Sequence, residues 1–82
     1  MNTVLAPKAA KYLERLHEPM KGRIVAALKK LENEPPQGDI SPMTDREGFR
    51  LRVGKYRLLF GINDNIIVVT DIDLRGQVYK GR

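Results

Sequence analysis

The chain has 82 residues, 41% of them hydrophobic, which is enough for one folded domain over residues 1–82 and too little for two cores. It has no cysteine and one histidine, so a disulfide framework or a thiolate metal site is excluded and a zinc site has little to work with. Fifteen Lys+Arg against ten Asp+Glu give a formal charge of +5, which favours polyanionic partners, and no apolar run approaches the roughly 20 residues of a membrane span.

The N-terminus, "MNTVLAPKAAKYLERL", carries no lysine or arginine before its apolar start and becomes charged within a few residues, unlike a signal peptide. A cytoplasmic protein is therefore expected. Residues 2–5 read as a short strand. Pro7 suits the first turn of a helix, where its missing N–H costs nothing. Ala9, Tyr12, Leu13 and Leu16 then follow helical spacing on one face. After Pro19 the pattern restarts with Met20, Ile24, Ala27, Leu28 and Leu31, and Pro35-Pro36 ends it. Two amphipathic helices are thus predicted to meet at His17-Glu18-Pro19.

Residues 35–47, "PPQGDISPMTDRE", read as a long connection, with Ile40 and Met43 pinning it to the core. Phe49, Leu51 and Val53 alternate with Arg50 and Arg52. After Gly54-Lys55, a two-residue loop, Tyr56, Leu58, Phe60 and Ile62 continue the alternation around Arg57. This loop pairs Val53 with Tyr56, Leu51 with Leu58 and Arg52 with Arg57. Asn63-Asp64-Asn65 is a turn, "IIVVTDI" a central strand apolar on both faces, and "GQVYK" a last edge strand. The expected architecture is α+β: a helical hairpin on one face of a small, mostly antiparallel twisted sheet, in the order β-α-α-β-β-β-β.

That register sets two guanidinium groups opposite each other, with Arg50 two residues away, although like charges directly opposed on a sheet are destabilising. Most of the net charge also lies here, since residues 49–82 hold seven Lys+Arg and three acids. Arginine cannot serve as a base, but its planar fork grips phosphates. Three on rigid strands form a preorganised site for phosphate charge. The competing reading is a solvated face whose arginines pair with Asp71, Asp73 or Glu47.

RNA can be cleaved without a protein nucleophile, because its own 2′-hydroxyl attacks the phosphorus. The protein then has to orient that hydroxyl, move protons and stabilise charge. Tyr79 is a candidate for base stacking or proton donation, or else an edge aromatic covering the core. Tyr12 and Tyr56 read as packing, His17 as a cap or surface residue, and Glu47 as a base candidate or an exposed loop acid.

The stretch "FRLRVGKYRLLFGINDNIIVVTDIDLRGQVYK" resembles the C-terminal half of the RelE/ParE toxin superfamily. There an aromatic, "RLRVGDYRVIY", an acidic turn, an apolar strand and "HRREVY" follow one another. The match is close at Arg50–Phe60 and looser at Leu74–Tyr79, and the upstream layout agrees. The resemblance implies a RelE-like fold and the toxin of a type II toxin–antitoxin pair. It implies a metal-independent endoribonuclease that cuts mRNA on the ribosome without a cofactor. It also implies a cognate antitoxin whose flexible segment wraps the toxin.

Carried over by position, the catalytic set is Arg50, Arg52, Arg57, Arg75 and Tyr79. Leu74 replaces a frequent histidine, Gly76-Gln77 replaces Arg-Glu, and Asp73 stands where some members are basic. Arg50 and Arg52 replace lysines of some active members, so no general base is assigned. The superfamily also contains gyrase inhibitors without nuclease activity. A third reading is a plain basic nucleic-acid-binding module.

Overall fold

The computed structural model describes residues 1–74. Its elements run β1 (Asn2–Leu5), α1 (Pro7–Arg15), α2 (Met20–Leu31), β2 (Asp39–Pro42), β3 (Phe49–Val53), β4 (Tyr56–Asn63) and β5 (Ile66–Leu74). The five strands form one sheet in the order β1-β5-β4-β3-β2. The β1–β5 pair is parallel and the other three pairs are antiparallel.

Both helices form where the apolar periodicity places them. Pro7 opens α1, and Ala9 is its fully buried contact with the core. Ile24, Leu28 and Leu31 are the buried stripe of α2. The Glu18 carboxylate accepts a 2.9 Å hydrogen bond from the Gly22 N–H, satisfying one orphan donor of the first turn of α2. Side-chain capping therefore comes from Glu18, while His17 is exposed and its carbonyl accepts the Lys21 N–H. Lys29 and Lys30 fall in the last turn, where cations complement the helix dipole.

The β3–β4 hairpin has the register that a two-residue loop dictates: Val53 faces Tyr56, Leu51 faces Leu58 and Arg52 faces Arg57. Gly54 has φ +59° and is the only residue of that loop with positive φ, which defines a type II′ turn. In the β4–β5 turn Asp64 and Asn65 both adopt positive φ, at 51° and 65°, the signature of type I′.

Two features depart from the sequence expectation. Residues 35–47 are not wholly a loop, because Asp39–Pro42 pairs with β3 as an edge strand. "DISP" has little strand propensity of its own, and it is recruited by the free edge of β3 and by Ile40, which packs on the core. The second departure is a β-bulge. Leu59 pairs with Asp71 and Phe60 with Val69, so Thr70 is the extra residue. The expected strand "GQVYK" lies outside the described residues.

Two cross-strand rows are apolar across four strands. Ile40, Leu51, Leu58 and Ile72 form one apolar row. Phe49, Phe60, Val69 and Leu5 form another, in which the two phenylalanine rings stack at 5.5 Å. These rows meet the helices: Leu51, Leu58, Phe60, Ile67, Val69 and Ile72 are buried in one cluster with Ala9, Ile24, Leu28 and Leu31. The opposite face of the sheet carries the charged rows.

Candidate functional site

Alternation puts Arg50, Arg52 and Arg57 on the face away from the helices, and the ladder then adds residues from both flanking strands. Asp39 of β2 is opposite Arg52, Arg52 is opposite Arg57, and Arg57 is opposite Asp73 of β5. The neighbouring row on this face runs Ser41, Arg50, Leu59, Asp71. In register, the two opposed arginines thus have an aspartate on each outer side. This answers the like-charge conflict of the hairpin: the row Asp39–Arg52–Arg57–Asp73 is formally neutral. Side chains directly opposite on a ladder sit about 5 Å apart at Cβ, within easy Coulomb range.

The bulge at Thr70 makes this row possible. Ile67 and Val69 point into the core, and strict alternation would send Asp71 and Asp73 after them. The extra residue reverses the phase, so Ile72 enters the core at 4% exposure and both aspartates turn to the arginine face. Thr70 Oγ1 donates to the Leu59 carbonyl at 3.3 Å across the bulge.

Burial within the row is uneven. Arg57 is 4% exposed, Arg52 is half-buried and Asp39 is exposed. Arg52 Nε is buried without a hydrogen-bond partner. Asp73 Oδ1 accepts the Leu74 N–H at 2.8 Å. Asp71 is held from the helix side of the edge by Lys8 Nζ at 2.9 Å. That bond and the Asp71 charge raise the Lys8 pKa above its ordinary value.

Beside Leu59 and Asp71 lies an open cavity of about 350 Å³, bounded by Met43, Arg46, Glu47 and Gly48 of the β2–β3 connection and by Thr70. Gly48 closes that connection at φ +115°, with its carbonyl accepting the Met43 N–H. Glu47 lines this cavity and is exposed, so it does not join the arginine rows.

Of the residues predicted for the site, Arg50, Arg52 and Arg57 are brought together on one face. Arg75 and Tyr79 lie outside the described residues. Tyr56 faces the helices, as its alternation predicts, and its ring meets that of Tyr12 edge-on at 6.3 Å. Burial, then the charge of Asp73, then Tyr56 raise the Tyr12 pKa. The sequence reading missed Asp39, Ser41 and Arg46. It named Asp73 as a possible partner without its register to Arg57. One signal was present: the step from Val69 to Ile72 is three residues, where an unbroken strand needs two.

Residues 4–79 match the family described as "ParE toxin of type II toxin-antitoxin system, parDE". No curated protein sequence is significantly similar. Among solved structures, the RelB–RelE antitoxin–toxin complex of Methanococcus jannaschii contains a chain with TM-score 0.79 and 20% identity, covering 95% of this chain and 96% of that one. The RelBE2 toxin–antitoxin complex of Mycobacterium tuberculosis matches with TM-score 0.75 and 24% identity, over 90% of this chain and 96% of that chain. The YoeB dimer of Staphylococcus aureus matches with TM-score 0.71 and 21% identity, over 92% of this chain and 97% of that chain. At these identities the likeness concerns the fold.

Proposed function

From the premise that the chain belongs to the ParE toxin family of type II toxin–antitoxin systems, we propose that it is a toxin that cleaves mRNA on the ribosome. The observation that carries this reading is the placement of Arg50, Arg52 and Arg57 on adjacent rows of rigid strands, on a face the core does not use. In this reading the RNA 2′-hydroxyl is the nucleophile and breaks the adjacent phosphodiester, leaving a cyclic phosphate and a free 5′-hydroxyl. The half-buried Arg52 and Arg50 hold the phosphate, and Arg57 supports charge from beneath. Arg75 and Tyr79 complete the site by resemblance, with Tyr79 stacking on a base or aiding proton transfer.

The partner in this reading is a cognate antitoxin. Several of the similar folds, including those from Methanococcus jannaschii and Mycobacterium tuberculosis, come from complexes with one. Among the described residues no helix is long and apolar enough to cross a membrane.

A second reading is favoured by the neutral row. Two of the three arginines already have carboxylate neighbours, which suits a surface that docks on a protein without cleaving anything. That is gyrase inhibition, as in the non-catalytic branch of the superfamily.

Sequencing of 5′ ends from translating ribosomes tests the two. Cuts within codons by the wild type, reduced roughly a hundredfold or more in Arg52→Ala and Arg57→Ala, are expected for the nuclease. Intact mRNA with DNA damage in the poisoned cells would move gyrase to the front. Circular dichroism on each variant separates lost function from lost fold, which matters most for the buried Arg57.

A further inference from the structure

We propose that Asp39 and Asp73 are built-in counter-ions of the arginine face and set how tightly it holds a phosphodiester. The inference rests on the reading that this face binds RNA, and it concerns the strength and selectivity of that binding. Both aspartates reach their positions through features outside the β3–β4 hairpin that gathers the arginines. Asp39 arrives on a four-residue edge strand of weak propensity, directly opposite Arg52. Asp73 arrives through the bulge at Thr70, directly opposite Arg57.

A counter-ion fixed to a strand differs from a mobile one. Dissolved cations leave a phosphate, and dissolved anions leave an arginine, with a gain of entropy when protein and nucleic acid meet. A carboxylate held by the backbone cannot leave. An incoming phosphate must bear its repulsion. At roughly 6 Å and the high effective dielectric of a half-exposed site, each such carboxylate weakens phosphate binding about three- to tenfold. Asp71 has a different status, because Lys8 already balances it at 2.9 Å. The consequence is a site that grips stray RNA poorly and acts on a strand held in place by further contacts.

The test uses the full chain and a fluorescent single-stranded RNA whose riboses are 2′-O-methylated, so that it binds but cannot be cut. Anisotropy titrations over a range of salt compare the wild type with Asp39→Asn, Asp73→Asn and the double variant. Asp64→Asn is the control: it adds the same net charge in the β4–β5 turn, where asparagine tolerates the φ of 51°. The exposed Asp39 can be changed without disturbing the core, and an asparagine at position 73 retains an oxygen for the Leu74 N–H.

Asp39→Asn and Asp73→Asn are each expected to tighten binding about three- to tenfold, and the double variant by about the product. The slope of log affinity against log salt should steepen by about 0.7 for each phosphate newly engaged. Asp64→Asn should shift affinity less than twofold. Equal effects at positions 39, 73 and 64 would overturn the proposal, as would absence of RNA binding in every variant. The nuclease reading fails separately. Tighter binding without ribosomal cleavage removes the nuclease and keeps the counter-ions, whereas cleavage with unchanged affinities keeps the nuclease and removes them.

Discussion

The two faces of the sheet are built from the same four strands, in rows one residue apart, yet they are held by different physics. The row Ile40–Leu51–Leu58–Ile72 packs beneath the helices, and the next row, Asp39–Arg52–Arg57–Asp73, looks the other way. On the helix face each buried aliphatic side chain contributes about 1.5–3 kcal/mol, whichever aliphatic neighbour it meets. On the arginine face the sign of each neighbour decides everything. A shift of one residue in either flanking strand would leave the guanidiniums opposed and unbalanced. Burial fixes which face each strand presents, and the charge balance needs the exact pairing as well.

Exchanging Asp71 and Ile72, as Asp71→Ile together with Ile72→Asp, should break this division most completely. It sends a carboxylate into the core position that Ile72 holds at 4% exposure and an aliphatic side chain to the arginine face. Burying an unpaired carboxylate costs several kcal/mol, against a total stability of about 5–15 kcal/mol. The exchanged variant is expected to lose its cooperative thermal transition by circular dichroism, and a wild-type melt would refute the phase given to the bulge.

Neighbouring leucines sharpen the contrast. Leu58 is fully buried under the helices, so Leu58→Ala leaves a closed void and should cost about 3–5 kcal/mol in urea unfolding. Leu59 also is buried but lines the open cavity, so Leu59→Ala should lose mainly the transfer contribution, about 2 kcal/mol. Equal losses would mean that both faces are packed alike.

Gly54→Ala isolates the hairpin that sets the register. An added Cβ would meet Met20 Cε at 3.5 Å, an ordinary contact, so the cost is the backbone penalty at φ +59°. About 1 kcal/mol is expected in the same unfolding assay.

The smallest effect concerns Tyr12, under the helix but close to Asp73. Its phenol titrates above the usual value near 10, chiefly through burial, so the folded state keeps the proton longer than the unfolded chain does. Stability should therefore fall as pH rises past about 10 and level off above the folded value. Tyr12→Phe should flatten that alkaline slope, and an unchanged slope would place the cause elsewhere.

Much of this fold was legible in the residues themselves. Helical spacing marked both helices and their buried stripes, Gly54 and Asp64-Asn65 marked the two tight turns, and the hairpin register followed from loop length. These are local rules, obeyed within a few residues of where they are read. The arginine cluster was equally legible, because alternation within one hairpin creates it. Its neutralisation was not. Which acids stand beside Arg52 and Arg57 depends on which strands flank the hairpin, on a four-residue edge strand with no propensity signal, and on one inserted threonine. A strand edge recruits partners from distant chain segments, and a bulge is chosen by whether Ile72 or Asp71 gains more from entering the core. Only the packed molecule makes that choice. The sequence by itself determined the elements and gathered three arginines on one face; the tertiary structure decided that two of them would face carboxylates.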